Sequence, residues 1–174
     1  MRLGRSHREA GMTTIERPSS NPYLANNLAP VHEEVTVTDL RVTGTIPTEL
    51  TGRYLRNGPN PAGPVNEAKY HWFSGHGMVH GIRLRAGRAE WYRNRWVRTE
   101  GVCDILGGTP PPSDWPADHP SFPANTNVIG HAGRTYAIVE GGSPPIEMSN
   151  ELDTVRVSSL GGTLPMAFSA HPKR

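Results

Sequence analysis

Glycine and proline punctuate this chain at short intervals. The 174 residues include 19 glycines and 17 prolines, and both residue types interrupt long helices. Only 35% of the residues are hydrophobic, which is enough for one domain with a modest core. The composition therefore favours short strands joined by turns over long helices.

Alternating apolar and polar residues predict the first strands. The alternation runs from Glu34 to Ile46 and stops at Pro47, which indicates a strand followed by a turn. A second short strand is predicted at 52–56. It leads into residues 57–61, Asn-Gly-Pro-Asn-Pro, which are all turn formers. We expect a rigid corner there.

Two hairpins are predicted in the middle of the chain. Residues 70–73 and 78–84 flank the sequence Ser-Gly-His-Gly, which is typical of a tight connection between strands. A second turn, Arg-Ala-Gly-Arg at 85–88, leads to a strand over 89–99. These segments predict an antiparallel meander.

The segment 103–123 contains repeated prolines and shows no periodicity, so it predicts a long surface loop. Strands at 125–131 and 135–140 follow, joined by a turn at 132–134. Their core candidates are Ile129, Tyr136, Ile138 and Val139. Short strands without a convincing helix indicate an antiparallel all-β fold, and composition does not choose among a sandwich, a barrel and a propeller.

Several broad classes are excluded. No apolar run approaches the roughly 18 residues of a membrane span, and the first residues lack the apolar stretch of a secretory signal. We therefore expect a cytoplasmic protein in which residues 1–20 form a disordered tail and the domain occupies 21–174. Cys103 is the single cysteine, so no internal disulfide forms, and a buried apolar role is expected for it.

The basic residues do not predict nucleic-acid binding. The net charge is only +2, and the one concentration of arginine lies between Arg83 and Arg98. Arginines that alternate with tryptophan along a strand can bind phosphates and bases. With a near-neutral total charge, a solvated sheet face with arginine stems lying over the tryptophans is favoured.

Histidines and one glutamate are the candidate site residues. His71, His76 and His80 lie close in sequence, but their predicted positions do not converge, so satisfied hydrogen bonds or plain exposure are favoured over a metal site. His171 precedes a proline, which holds its backbone extended. Glu140 ends an apolar strand, and from the residues alone an exposed carboxylate is favoured over a buried one, since burial without a partner is costly.

Six short segments occur in a suggestive order along the chain. They are 52–61, 71–80, 92–99, 124–127, 151–154 and 170–173, and they include Arg-Asn-Gly-Pro-Asn-Pro, His-Trp-Phe-Ser-Gly-His-Gly-Met and Ala-His-Pro-Lys. Together they resemble the carotenoid cleavage oxygenase family, whose members include lignostilbene dioxygenases and a retinoid isomerohydrolase. The resemblance runs from about residue 21 to the end.

The resemblance implies the N-terminal part of a seven-bladed β-propeller with a non-haem Fe(II) on its axis, held by four histidines. His171 matches the first of these ligands. Glu140 matches a glutamate that is hydrogen-bonded to a ligand histidine, so the resemblance implies a buried, functional carboxylate there. Only this one ligand is present, and we expect the chain to be the front portion of a longer enzyme.

The implied reaction is cleavage of a conjugated C=C bond of a carotenoid or apocarotenoid by O₂, which gives two carbonyl products. In the branch that cleaves stilbene-like substrates a lysine precedes the glutamate, whereas Val139 stands here and favours a carotenoid. Ser74 and His76 replace two aspartates of the family's motif. The resemblance adds peripheral membrane contact for a full-length protein and leaves the oligomeric state open. The alternative is a truncated, inactive fragment or a non-catalytic binding or assembly module.

Overall fold

The computed structural model describes residues 19–115, 121–164 and 168–173. The predicted tail at 1–20 therefore lies almost wholly outside the described residues. The described chain forms two four-stranded antiparallel sheets, with strand orders β1-β4-β3-β2 and β5-β6-β7-β8. No helix in the described parts of the chain is long and apolar enough to cross a membrane.

The elements follow one another simply along the chain. The strands are β1 (Thr36–Val37), β2 (Gly52–Asn60), β3 (His76–Arg85), β4 (Arg88–Trp96), β5 (Asn127–His131), β6 (Arg134–Ile138), β7 (Ile146–Met148) and β8 (Thr154–Val157). Helix α1 (Glu100–Leu106) joins the two sheets, and three 3₁₀ turns lie at Pro22–Leu24, Asn26–Leu28 and Trp72–Ser74. An antiparallel all-β architecture is thus confirmed.

The predicted corner at 57–61 is wrong, because strand β2 runs through to Asn60. Proline is tolerated at residue 59 because β2 is an edge strand of its sheet. Pro59 lies opposite Gly77, whose N–H donates to the Pro123 carbonyl at 2.7 Å and whose carbonyl accepts from Val97 at 2.8 Å. The missing N–H of Pro59 therefore leaves no ladder bond unmade.

The predicted strand at 70–73 is also wrong. Residues Trp72–Ser74 form a 3₁₀ turn in which Nδ1 of His71 accepts the Phe73 N–H at 3.3 Å. The side chain of Asn125 donates to the carbonyls of Phe73 and Gly75, at 3.2 and 2.6 Å. A side chain thus satisfies the backbone that a neighbouring strand would otherwise pair, and β3 pairs instead with β2 and β4.

The long strand predicted from Glu34 shrinks to the two residues of β1. Asparagine side chains replace the ladder on the preceding residues. Asn94 accepts the Val35 N–H at 2.6 Å and donates to the Glu33 carbonyl at 2.9 Å, while Asn60 bonds both the N–H and the carbonyl of Val31, at 2.9 and 2.7 Å. These amides hold the segment against the sheet without making it a strand.

Two predicted hairpins are confirmed. The β3–β4 turn places Ala86 at φ 46° and Gly87 at φ 77°, and consecutive positive φ values match the right-handed twist of the flanking strands. The β5–β6 hairpin forms with its turn at 132–134 as predicted. Of its core candidates, three are buried and Ile129 is half-buried; the buried ones are Tyr136, Ile138 and Val139.

Helix α1 occupies the start of the segment predicted to be a loop without secondary structure. Its residues Val102 and Cys103 are buried, which confirms the expectation for the cysteine. Val102 packs in a cluster with Met78 and Trp96 of the first sheet. Seven residues make too short a pattern for a periodic signal, so tertiary packing rather than sequence periodicity defines this helix.

The main core lies between the two sheets. Val79 and Trp91 from the first sheet contact a set of buried residues from the second sheet and its turns: Ala137, Ile146, Met148, Leu152 and Val157. Leu152 is fully buried although it belongs to the turn between β7 and β8. Each sheet therefore has one face covered by the other sheet.

Arginines clamp this turn onto the first sheet. The Glu151 carboxylate accepts hydrogen bonds from Arg83 and, at 2.8 Å, from Arg93. The same two guanidinium groups lie 4.8 and 5.1 Å from the centre of the Trp91 ring. Arginines thus lie over a tryptophan as predicted, but it is their guanidinium groups that cover the ring, and the face is not solvated because Trp91 is buried and both arginines are largely buried.

Candidate metal site

The β5–β6 hairpin positions the candidate carboxylate. Asn127 at the start of β5 lies opposite Ile138 at the end of β6. Glu140 follows two residues later, where the chain leaves the sheet. Pairing within one hairpin thus fixes Glu140 close to Asn127, at the edge of the second sheet where the β5–β6 hairpin opens.

The segment that carries the candidate ligand crosses the same edge. Ala170 is fully buried, and its carbonyl accepts a hydrogen bond from Nδ2 of Asn127 at 3.0 Å. The His171 N–H donates to Oγ of Ser169 at 3.2 Å. Because Pro172 follows, the backbone of His171 is held out of the helical region.

His171 and Glu140 meet at this edge. Nδ1 of His171 lies 3.2 Å from Oε1 of Glu140. A carboxylate without a proton only accepts hydrogen bonds, so in a neutral imidazole this contact places the proton on Nδ1 and the lone pair on Nε2. The sequence could not show this meeting, because 31 residues separate the pair.

Both side chains are exposed, at 72% for His171 and 62% for Glu140. Glu140 is therefore exposed among the described residues, as the residues alone indicated, and the burial that the family resemblance implies stays a prediction. Glu140 stands past the last paired residue of β6, and none of the described residues covers its carboxylate. Water solvates the charge there, so its ionised form carries no burial cost.

The pair fits part of a metal site but does not complete one. An imidazole whose second nitrogen is fixed by a carboxylate is a common arrangement in metal proteins, and neutral imidazole suits iron. Within the described ranges, however, no group of three or more histidine, cysteine, aspartate or glutamate side chains converges. A metal bound at Nε2 of His171 would therefore need further ligands from outside the described residues.

The three clustered histidines have separate partners, as expected from the sequence. Nδ1 of His80 lies 2.8 Å from the Tyr92 hydroxyl, and burial, together with the charge of Arg56, lowers the pKa of His80 to about 4. Nδ1 of His76 accepts the Ala62 N–H at 3.3 Å, and burial lowers the pKa of His76. Both rings are therefore neutral at neutral pH and serve the packing of the first sheet.

Two asparagines that no pattern in the sequence marked as site residues support this edge. Asn57 on β2 donates to the carbonyls of Ala124 and Asn127, at 2.7 and 3.0 Å. Asn127 in turn donates to Ala170. Both asparagines lie inside the segments that carry the family resemblance, so their presence was visible, but their partners lie far away in sequence.

Comparisons with known proteins agree on one family. The model of the retinal pigment epithelial membrane protein family matches residues 28–174. A carotenoid cleavage oxygenase of Mycobacterium tuberculosis is 55% identical over 94% of this chain and 33% of its own length. The carotenoid 9,10(9′,10′)-cleavage dioxygenase 1 of Arabidopsis thaliana is 30% identical over 87% of this chain and 33% of its own length.

Solved structures give the same result. The lignostilbene dioxygenase of Pseudomonas brassicacearum superposes with a TM-score of 0.74 at 26% identity, over 91% of this chain and 35% of that one. A cobalt-substituted apocarotenoid oxygenase of Synechocystis superposes with a TM-score of 0.63 at 27% identity, over 83% and 33%.

These matches cover most of the chain, including both sheets and the segment that carries His171. The chain spans about a third of the length of the curated relatives that it matches. By sequence identity and by the fold of its described residues, the chain belongs to the carotenoid cleavage oxygenase family.

Proposed function

We propose that these residues belong to a non-haem Fe(II) dioxygenase that cleaves a conjugated C=C bond of a carotenoid or apocarotenoid. The observation that carries this proposal is the contact of His171 with Glu140, which engages Nδ1 and makes Nε2 the ring nitrogen that would bind a metal. The names of the curated relatives support the reaction class. The cobalt-substituted relative supports a divalent metal in the family.

In this proposal His171 supplies one of the iron ligands through Nε2. Iron, once bound, supplies the activation of O₂ that no side chain provides. Glu140 accepts a hydrogen bond from Nδ1–H and so fixes the tautomer and orientation of an imidazole. Pro172 limits the backbone freedom of His171, which reduces the entropy lost when the ligand is held.

The two sheets are proposed to be consecutive blades of a seven-bladed β-propeller. Each is a four-stranded antiparallel sheet, and the second follows the first directly along the chain. Blades of this kind pack face to face. The two sheets here do so as well, because they share the core that contains Val79 and Ala137. Residues 21–174 would then form the N-terminal portion of the propeller.

The proposed substrate is apolar and conjugated. The curated relatives quoted above are named for carotenoid cleavage. Val139, immediately before Glu140, is an apolar residue where the stilbene-cleaving branch has lysine, so a carotenoid or apocarotenoid is proposed ahead of a stilbene-like molecule. A cytoplasmic location, with peripheral contact to membranes that hold such substrates, belongs to the same proposal.

A non-catalytic binding or assembly module is the alternative, and the oxygenase names of the curated relatives do not favour it. Nucleic-acid binding is not proposed, since Arg83 and Arg93 are engaged with Glu151.

The test is turnover by the longest polypeptide that the gene encodes, purified with Fe(II). It is incubated under ¹⁸O₂ with β-carotene, an apocarotenal and a hydroxystilbene in separate reactions. The proposal predicts ¹⁸O-labelled aldehyde or ketone pairs from a polyene. Absence of cleavage of all three substrates by an iron-loaded protein would contradict it.

A further inference from the structure

The Ala170 carbonyl, next to the candidate ligand His171, is anchored by the side chain of Asn127. Nδ2 of Asn127 donates to the carbonyl of Ala170 at 3.0 Å. Ala170 is fully buried, and a buried carbonyl without a partner is costly. Asn127 therefore satisfies the last buried peptide group before His171, whose own side chain is exposed.

Asn127 is itself held firmly. Its Oδ1 accepts the Val128 N–H at 2.8 Å, which fixes the side-chain amide with its nitrogen toward Ala170. Its backbone carbonyl accepts from Nδ2 of Asn57 at 3.0 Å. A connected series of hydrogen bonds thus runs from β2 of the first sheet, through the start of β5, to the segment that carries the histidine.

Register places this series beside the carboxylate. Asn127 lies opposite Ile138, so one hairpin end presents both the amide that bonds the Ala170 carbonyl and the carboxylate that meets the His171 ring. One contact fixes the backbone before His171 and the other fixes its ring. Apart from these two contacts, the segment is tied at Phe168, whose N–H donates to the Ser143 carbonyl at 3.4 Å. The exposed ring contact by itself contributes little to the order of the segment.

We infer that Asn127 is a positioning residue for His171: its amide anchors the Ala170 carbonyl and thereby aims the imidazole at Glu140. The inference rests on the proposed function for its catalytic meaning, but the anchoring itself concerns only residues of this chain. The inference does not require Asn127 to contact substrate or metal.

The informative variant is Asn127→Asp, which keeps the size of the side chain and an oxygen for the Val128 N–H. It replaces the amide donor by an acceptor that faces the Ala170 carbonyl, so the anchor is lost. The matched control is Asn27→Asp, the same change at an exposed residue of the 3₁₀ turn Asn26–Leu28. Both are compared with the wild type as isotopically labelled, metal-free chains by NMR.

The expected result is selective. In Asn127→Asp the nuclear Overhauser contacts between the His171 ring and the Glu140 side chain are lost, while the cross-strand contacts of β6 and β7 remain. In Asn27→Asp all of them remain. A purely structural role for Asn127 would weaken the contacts of the whole sheet together, and that outcome, or an unchanged His171 ring, would overturn the inference.

A measurement on the wild type keeps the inference testable if Asn127→Asp does not fold. The hydrogen bond from Asn127 to Ala170 predicts a through-bond coupling between the amide nitrogen and the carbonyl carbon, and its absence from a well-folded chain would overturn the inference. If the wild-type chain lacks this coupling but the longer polypeptide turns over normally, the positioning role of Asn127 is contradicted and the proposed function is not. If the coupling is detected but the longer polypeptide neither binds iron nor turns over, the proposed function is contradicted and the positioning role is not.

Discussion

Gly77 on β3 lies directly against the backbone of Ala124. Its N–H donates to Pro123 at 2.7 Å, and a Cβ at residue 77 would overlap the Ala124 carbonyl oxygen and lie 2.9 Å from the carbonyl carbon. This approach fixes the segment that leads into Asn125 and Asn127. The contact between the first sheet and the candidate site thus depends on the absence of one side chain.

Gly77→Ala is expected to destabilise the fold by about 3 kcal/mol, because the added methyl group meets backbone that cannot rotate away. The matched control is Gly58→Ala on the paired strand β2, where an added Cβ meets nothing within 4 Å. We expect that control to change the free energy of unfolding by less than about 0.5 kcal/mol. Urea denaturation measures both, and equal effects would disprove the close approach.

Glu151 predicts a loss of stability in acid. Burial would raise its pKa, but hydrogen bonds and charge from Arg83 and Arg93 outweigh burial and lower it below the usual 4.5. A carboxyl with a lowered folded-state pKa stabilises the fold above its unfolded pKa and loses that contribution as the pH falls through the folded one. The stability difference between the wild type and Glu151→Gln should therefore shrink as the pH falls below 4.5. A difference that stays constant with pH would contradict the clamp.

His80 predicts a second dependence on pH, in a different window. Burial first, and then the charge of Arg56, lowers its pKa from 6.5 to about 4. The unfolded chain therefore binds the proton more readily, and the stabilisation present above pH 6.5 is lost as the pH falls toward 4. Between pH 7.5 and pH 5 we expect a loss of about 1–2 kcal/mol.

His80→Gln should remove most of that loss when unfolding is measured at the two pH values. Tyr92→Phe serves as the control. It deletes the hydroxyl 2.8 Å from Nδ1 of His80 but leaves the burial, so its pH dependence should follow the wild type. If Tyr92→Phe flattened the profile as much as His80→Gln, the hydrogen bond rather than burial would be the cause.

Local signals in the sequence predicted two of the turns. The turns at Ala86–Gly87 and at 132–134 form where glycine and alternating strands indicated them, because a two-residue connection fixes its own geometry. Strand β1 could not be bounded in this way. Its neighbouring residues are held by Asn94, 59 residues from Val35, and no local pattern encodes such a partner.

The same limit applies to the candidate site. The order of short segments was enough to predict the family and to select His171 and Glu140 individually. Their meeting depends on the β5–β6 register and on the anchor of Ala170 by Asn127, 43 residues away. Whether Glu140 is exposed or buried depends on the segments packed against that sheet edge, and the residues next to it in sequence do not determine this.

The central claim is that His171 is an iron ligand. It is tested most directly by the Fe(II) content, after dialysis, of the longest polypeptide that the gene encodes, with and without His171→Gln. We predict about one iron per chain for the wild type and at least a tenfold weaker retention for His171→Gln, since a lost ligand costs at least as much as the 10–100-fold loss seen when a supporting partner is removed. The 174-residue chain alone should retain none. Equal iron in the wild type and His171→Gln, or stoichiometric iron on the 174-residue chain, would contradict the account.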